Sequence, residues 1–179
     1  LAYEKEPAMA TILYGIDVPE TGGDTMFCSL YAAYDALSDG MKRMLSKLNV
    51  VYSNAHTYGK DAKRFKTGVA KDMSVTQAPE VKEVVHPLIR IHPETGRNAL
   101  YLSSTHYSRI EGMTEAESKP LLQQLCEHAI RPEFTCRFKW RAGSVAFWDN
   151  RCTMHYAVND FPNTRRIMQR VTLQGDVPF

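Results

Sequence analysis

Polar and apolar positions alternate most clearly near the end of the chain. From Arg166, the residues Arg166, Met168, Arg170 and Thr172 fall on one side, and Ile167, Val171 and Leu173 on the other. That period of two is the one a β-strand imposes. The pattern predicts a barrel strand with an apolar outer face and two inward guanidiniums, which are costly to desolvate unless an anion meets them. Residues 8–16 are apolar up to Gly15 and predict a buried strand. Further strands are predicted over 49–52, 135–140 and 144–148, the last two split by the turn at Arg141-Ala142-Gly143. Residues 84–91 and 99–102 flank His92-Pro93-Glu94-Thr95-Gly96-Arg97 as a hairpin-like pair, and residues 103–109 follow it.

Helical spacing occupies three stretches. Leu30, Ala33, Tyr34 and Leu37 share a face, Ser38-Asp39-Gly40 interrupts, and Met41, Met44, Leu45 and Leu48 resume the period. Thr114-Glu115-Ala116-Glu117 is a capping-box pattern that opens a helix through about Ala129. Leu121, Leu122, Leu125 and Ala129 form its buried stripe, Pro120 blurs its start, and His128 reads as a solvated residue near its end. Residues 54–83 are polar, lysine-rich and without a period, as in an active-site lid or a flexible segment. These patterns alone predict a mixed α and β domain.

Composition narrows the class. The 179 residues are 44% hydrophobic and 23% charged, which suits one globular domain, residues 1–179, with a sizeable core. A net charge of +2, with scattered basic residues, gives no reason to expect nucleic acid or an acidic membrane as partner. No apolar run approaches a membrane span and no signal peptide is evident. Cys28, Cys126, Cys136 and Cys152 lack zinc-type spacing, so free thiols in a reducing cytoplasm are expected. No serine or cysteine nucleophile motif is present.

The candidate chemistry is concentrated in Trp148-Asp149-Asn150-Arg151-Cys152-Thr153-Met154-His155 and Arg165-Arg166-Ile167-Met168-Gln169-Arg170. Read without context, a lone His and paired arginines are more often structural or solvated than functional. The arrangement resembles the distal half of the site in Fe(II)/2-oxoglutarate dioxygenases of the TauD/TfdA family. That family's pattern is His-x-Asp, a long interval, a second His, then Arg after ten intervening residues. His155 and Arg166 match its second half without a gap. The resemblance extends over Gly22-Gly23-Asp24-Thr25, the hairpin from His86 to Gly96, Arg109-Ile110, Trp148-Asp149-Asn150 and Arg170. Asn49-Val50-Val51 and the run from Arg109 to Thr114 look closest to aryloxypropionate-degrading members. Arg165-Arg166-Ile167-Met168 and Asp176-Val177-Pro178-Phe179 look more like the taurine and alkylsulfate branches.

The resemblance implies an α+β fold with a mainly β core: a double-stranded β-helix (jelly-roll, cupin-like) with flanking helices, incomplete at the N-terminus. It implies Fe(II), 2-oxoglutarate and O2, with His155 as a metal ligand and Arg166 and Thr25 holding the distal carboxylate of 2-oxoglutarate. Arg170, on the inward face with Arg166, is expected to fix the anionic group of a sulfonate, sulfate ester or aryloxyalkanoate. Tyr58 and His106 fall at pocket positions of the family, whereas His86 and His92 are expected to be structural. The iron site needs a second His and a carboxylate. The family's His-x-Asp is expected immediately before Leu1, in a longer parent protein. The expected reaction hydroxylates a small anionic substrate next to a heteroatom and releases succinate and CO2. The alternative is a non-catalytic barrel that binds a small anion without iron. Homo-oligomerisation is compatible with either.

Overall fold

The computed structural model describes residues 2–55, 80–103, 105–162 and 164–179. Two three-stranded antiparallel sheets carry the segments singled out above. The first has the order β11-β1-β9, from β1 (Ala10–Asp17), β9 (Val145–Asp149) and β11 (Ile167–Leu173). The second has the order β10-β2-β8, from β2 (Thr25–Ser29), β8 (Thr135–Phe138) and β10 (Thr153–Ala157). Residues from both sheets share one small core, in which Trp140, Ala146 and Trp148 pack with Leu13, Phe27, Phe138 and Met168. Met168 lies on the same side of β11 as Arg166 and Arg170, so the predicted inward face of that strand does turn toward this core.

The outer face of the first sheet is apolar, as the alternation predicts, and it is open to solvent. Tyr14, Ile16, Val145 and Val171 are all exposed there, and Phe147 is 67% exposed.

The larger core lies elsewhere. A third sheet, β4-β3-β7, is formed by β3 (Asn49–Ser53), β4 (Glu83–Pro87) and β7 (Tyr107–Ile110), and a hairpin joins β5 (Ile89–Ile91) to β6 (Asn98–Leu100). Helices α1 (Leu30–Asp35), α2 (Asp39–Leu45) and α3 (Glu115–Ala129) complete it, α1 against β6 and α3 against β7. Leu30, Leu45, Val50, Tyr52, Leu88, Leu100, Ile110, Leu122 and Leu125 are its buried centre. The capping box forms as predicted: Thr114 Oγ1 accepts from Glu117 N–H at 3.3 Å, and the Glu117 carboxylate accepts from Thr114 N–H at 2.8 Å.

Several local expectations change. Thr25 opens β2, and Ser29 closes that strand while its hydroxyl caps α1 by accepting from Ala32 N–H at 3.2 Å. The expected interruption at Ser38-Asp39-Gly40 does separate α1 from α2, and it also starts α2: Ser38 is the N-cap and accepts from Met41 N–H at 3.3 Å. The strand predicted over 84–91 divides at Leu88. Its N–H donates to Leu48 O at 2.9 Å and its carbonyl accepts from Tyr101 N–H at 2.8 Å, so the chain passes from one sheet to the next there. Within residues 103–109 the strand begins at Tyr107, and Ser103 O accepts from His106 and Tyr107 N–H just before it. His128 is half-buried rather than solvated, and its Nε2 contacts Ala33 O at 2.8 Å, tying α3 to α1.

Candidate functional site

The turn before β2 and the loop before β11 close on each other. Asp160 Oδ1 accepts the Gly23 N–H at 2.7 Å, and Arg137 of β8 donates from Nε to Asp24 Oδ2 at 2.6 Å. The same guanidinium reaches Asp160 Oδ2 at 3.5 Å. Gly23 has φ +70, and a Cβ built on it would stand 3.2 Å from Arg166 Cδ and 3.3 Å from its Nε. Two features therefore call for glycine here, a left-handed backbone and the close passage of the Arg166 stem.

Arg166 carries the most telling polar atoms of the site. Its Nε and Nη2 are buried and have no hydrogen-bond partner. Burial pulls its pKa down, and its guanidinium carbon lies 5.8 Å from the centre of the Phe161 ring. A buried cation without a counter-ion is expensive, and the Nε–Nη2 edge is one on which a carboxylate can dock through two parallel hydrogen bonds. Arg90 makes the contrast: it too is buried, but Asp176 meets its Nη2 at 2.7 Å. Among the described residues no carboxylate meets Arg166. Thr25 is only 2% exposed, and its hydroxyl accepts from Trp140 Nε1 at 2.9 Å.

His155 stands on β10 opposite Phe27 of β2. Its ring is partly open to solvent, while Trp148 and Phe27 flank it at centroid distances of 4.9 and 6.3 Å. Burial against these rings pushes its pKa down, and the positive charge of Arg170 adds to the effect. The result is a neutral imidazole near pH 7, the form that binds a metal. Arg170 lies two positions from Met168 on β11 and so shares the side that Met168 turns toward the small core. Arg170 is exposed.

His106 accepts at Nδ1 from the hydroxyls of Ser103 and Thr105 or donates to them, at 2.8 and 3.0 Å, and its ring tilts against Tyr3 at 5.1 Å. Tyr58 lies outside the described residues. Sequence reasoning missed Trp140, Arg137 and Asp160. All three act on the Gly23-Asp24-Thr25 turn across more than a hundred residues, and nothing local marks them.

A second group could be mistaken for a metal site. One donor atom each from His92, Asp149 and Cys152 lies within 4.8 Å of the others. Their protons argue against it. His92 Nδ1 accepts from the N–H groups of Glu94 and Thr95 at 3.2 and 3.3 Å, which assigns the ring hydrogen to Nε2, donating to Asp149 Oδ2 at 3.0 Å. Asp149 also holds Arg151 through Nε at 3.0 Å and Nη2 at 2.6 Å. Burial pushes Asp149 up, but the bonds from Arg151 and His92 outweigh it and hold the carboxyl below its ordinary range. Burial raises the Cys152 thiol, keeping it protonated. The cluster is a satisfied ion-pair network that anchors β9, and His92 is structural, as expected.

The family described as "Taurine catabolism dioxygenase TauD, TfdA family" matches residues 1–172. An alkylsulfatase of Acinetobacter baylyi is 36% identical over 93% of this chain and 52% of its own length. An alpha-ketoglutarate-dependent sulfate ester dioxygenase of Pseudomonas putida is 39% identical over 94% of this chain and 56% of its own. The solved structure of AAD-2 in complex with Mn(II) and N-oxalylglycine superposes with a TM-score of 0.83 at 32% identity, covering 99% of this chain and 67% of that one. The chain thus spans about half the length of the curated relatives it matches.

Proposed function

The chain belongs to the TauD/TfdA dioxygenase family, and from that premise we propose that the whole protein is an Fe(II)- and 2-oxoglutarate-dependent dioxygenase acting on a small anionic organic compound. The observation that carries the reading is the unpaired, buried Nε–Nη2 edge of Arg166, beside the glycine turn that leads into Thr25. It is a preformed seat for a carboxylate, and 2-oxoglutarate offers one at the far end of its chain. The fold consistent with this is a double-stranded β-helix made by the first two sheets, with residues 1–179 as the larger part of one domain.

When bound, Fe(II) with 2-oxoglutarate and dioxygen would supply the oxidising chemistry for hydroxylation next to a heteroatom, with release of succinate and CO2. The residues of this chain bind and orient. His155 would be one protein ligand of a two-histidine, one-carboxylate set. Its depressed pKa keeps the imidazole available to metal at neutral pH. Arg166 receives the distal carboxylate of 2-oxoglutarate and Thr25 donates a further hydrogen bond to it. Arg170, exposed on the same side of β11 as Met168, fixes the anionic head of the substrate, with His106 as a further candidate substrate contact. Sulfonates, sulfate esters and aryloxyalkanoates all present an anion that suits a guanidinium. Sulfate esters come first in a screen, because two of the similar proteins are named for them. With four free thiols, the protein suits the reducing cytoplasm.

The test is anaerobic titration of the full-length protein with Fe(II) and 2-oxoglutarate, following the weak visible charge-transfer band of the chelate. The band should vanish in His155→Ala and weaken in Arg166→Ala, with succinate release then guiding the substrate screen. Well-folded protein that gives no band would favour a barrel that binds an anion without iron.

A further inference from the structure

We infer that Trp140 is a positioning residue for 2-oxoglutarate: its indole N–H orients the Thr25 hydroxyl so that the hydroxyl's own proton is presented to the cosubstrate's distal carboxylate. The inference rests on the reading of Arg166 and Thr25 given above and adds the residue that sets the donor.

Trp140 follows β8 and is 6% exposed. Its ring meets Phe138 edge-on at 4.8 Å and packs in the core with Ala146 and Trp148. Gly15 of β1 neighbours the indole, a Cβ built there standing 3.4 Å from Trp140 Cε3. The ring is thus held on several sides, and its Nε1 donates to Thr25 Oγ1 at 2.9 Å between two buried groups.

The donor assignment follows from chemistry alone. An indole nitrogen can only donate, so Thr25 must accept at this contact, and one of its two lone pairs is occupied. The hydroxyl hydrogen therefore turns away from the indole. Among the described residues no acceptor takes it. Arg166, whose stem passes the turn at Gly23 two residues earlier, holds two further N–H groups without an acceptor. A buried set of donors with no acceptor is what an anion needs, and a donor already aimed loses less entropy on binding than a free rotor.

The experiment is a double-mutant cycle in the full-length protein, loaded anaerobically with Fe(II), reading the dissociation constant of 2-oxoglutarate. Trp140→Phe keeps the ring and deletes the N–H. It should weaken 2-oxoglutarate roughly three- to tenfold, the scale of one hydrogen bond, and leave Fe(II) affinity unchanged. In the Thr25→Val background the same change should produce no further weakening. Equal weakening in both backgrounds, or none in either, would overturn the positioning role. Should Trp140→Phe fail to fold, the indole N–H resonance of Trp140 in Zn(II)-loaded protein serves instead. It should move on adding 2-oxoglutarate to wild type, and an equal shift in Thr25→Val overturns the role. Arg166→Ala separates the two levels. If it binds 2-oxoglutarate as wild type does, the underlying reading falls and the role of Trp140 with it. If it binds weakly while the Trp140 arm shows no coupling, only the positioning role is overturned.

Discussion

A side chain at Gly22 would collide with Asp160: a Cβ built there lies 2.7 Å from both the carbonyl and a carboxylate oxygen of that residue. Gly22 also has φ +79, in the left-handed region. Asp160 meanwhile binds the N–H of Gly23, so one acidic residue of the loop before β11 both needs and seals the double glycine. Gly22→Ala combines backbone strain with a clash and should destabilise the fold by about 1–3 kcal/mol. Asp160→Ala should cost about 1 kcal/mol by freeing a partly buried N–H. Both should weaken 2-oxoglutarate, because they loosen the turn against which Arg166 lies. Urea unfolding and the chelate titration check the two effects separately.

The His92–Asp149–Arg151 network makes a second prediction, opposed to a metal site. Arg151 is buried and shares its guanidinium between Asp149 and Glu94, the latter at 3.0 Å from Nη1. Asp149→Ala would leave that cation with an exposed partner only, and should lower stability by about 3 kcal/mol. A chelator should leave the melting temperature of wild type unchanged as far as this cluster is concerned, and Zn(II) should not rescue Cys152→Ser. A zinc-dependent rise in stability that disappears in Cys152→Ser would reverse the assignment.

What the sequence made legible follows from the range of each signal. The alternation from Arg166 to Leu173 and the capping box at Thr114 and Glu117 are local, so strand and helix could be read directly. Strands β2 and β10 are five residues each and show no clear alternation: β2 has no exposed residue, and the last three of β10, Tyr156 at 66% among them, are all exposed. His155 and Arg166 stand out through the resemblance of their spacing to the family's motif, not through spacing alone. The surroundings of each, two aromatic rings beside the imidazole and an unpaired guanidinium edge, depend on residues distant in the chain. Trp140 and Thr25 are 115 positions apart, and Asp160 and Gly23 are 137 apart. Pairs of that kind leave no periodicity to read.

Ser118 offers a test of the join between α3 and the third sheet. Its hydroxyl donates to Thr114 O at 2.8 Å and accepts the buried Ile110 N–H at 2.9 Å. Ser118→Ala has a small transfer gain but strands that N–H at the end of β7. A loss of about 1–3 kcal/mol is expected, read from urea unfolding with an unchanged slope. A neutral result would mean that water reaches Ile110 N–H.

His86 should give the protein a pH-dependent stability. It is 2% exposed, lies against the rings of Tyr52 and Tyr101 at 5.7 and 6.0 Å, and its Nε2 contacts Glu4 O at 3.0 Å. Burial drives its pKa below the ordinary 6.5; the carbonyls of Glu4 and Ala2 pull it back in part, and the positive charge of Arg90 pushes it down again. With the folded value depressed, the unfolded chain binds more protons as pH drops below 6.5. Stability is therefore fully present above that pH and is lost as pH falls toward the folded value. The slope from this one group is at most about 1.4 kcal/mol per pH unit. His86→Gln keeps a nitrogen donor for Glu4 O but cannot titrate, so its unfolding free energy should fall less steeply between about pH 7 and about pH 5.5. Asp149, whose carboxyl is held low, loses its contribution only at more acidic pH and does not obscure that window. Equal slopes in wild type and His86→Gln would show that His86 takes up its proton alike in both states, and that the depression of its pKa is not realised in solution.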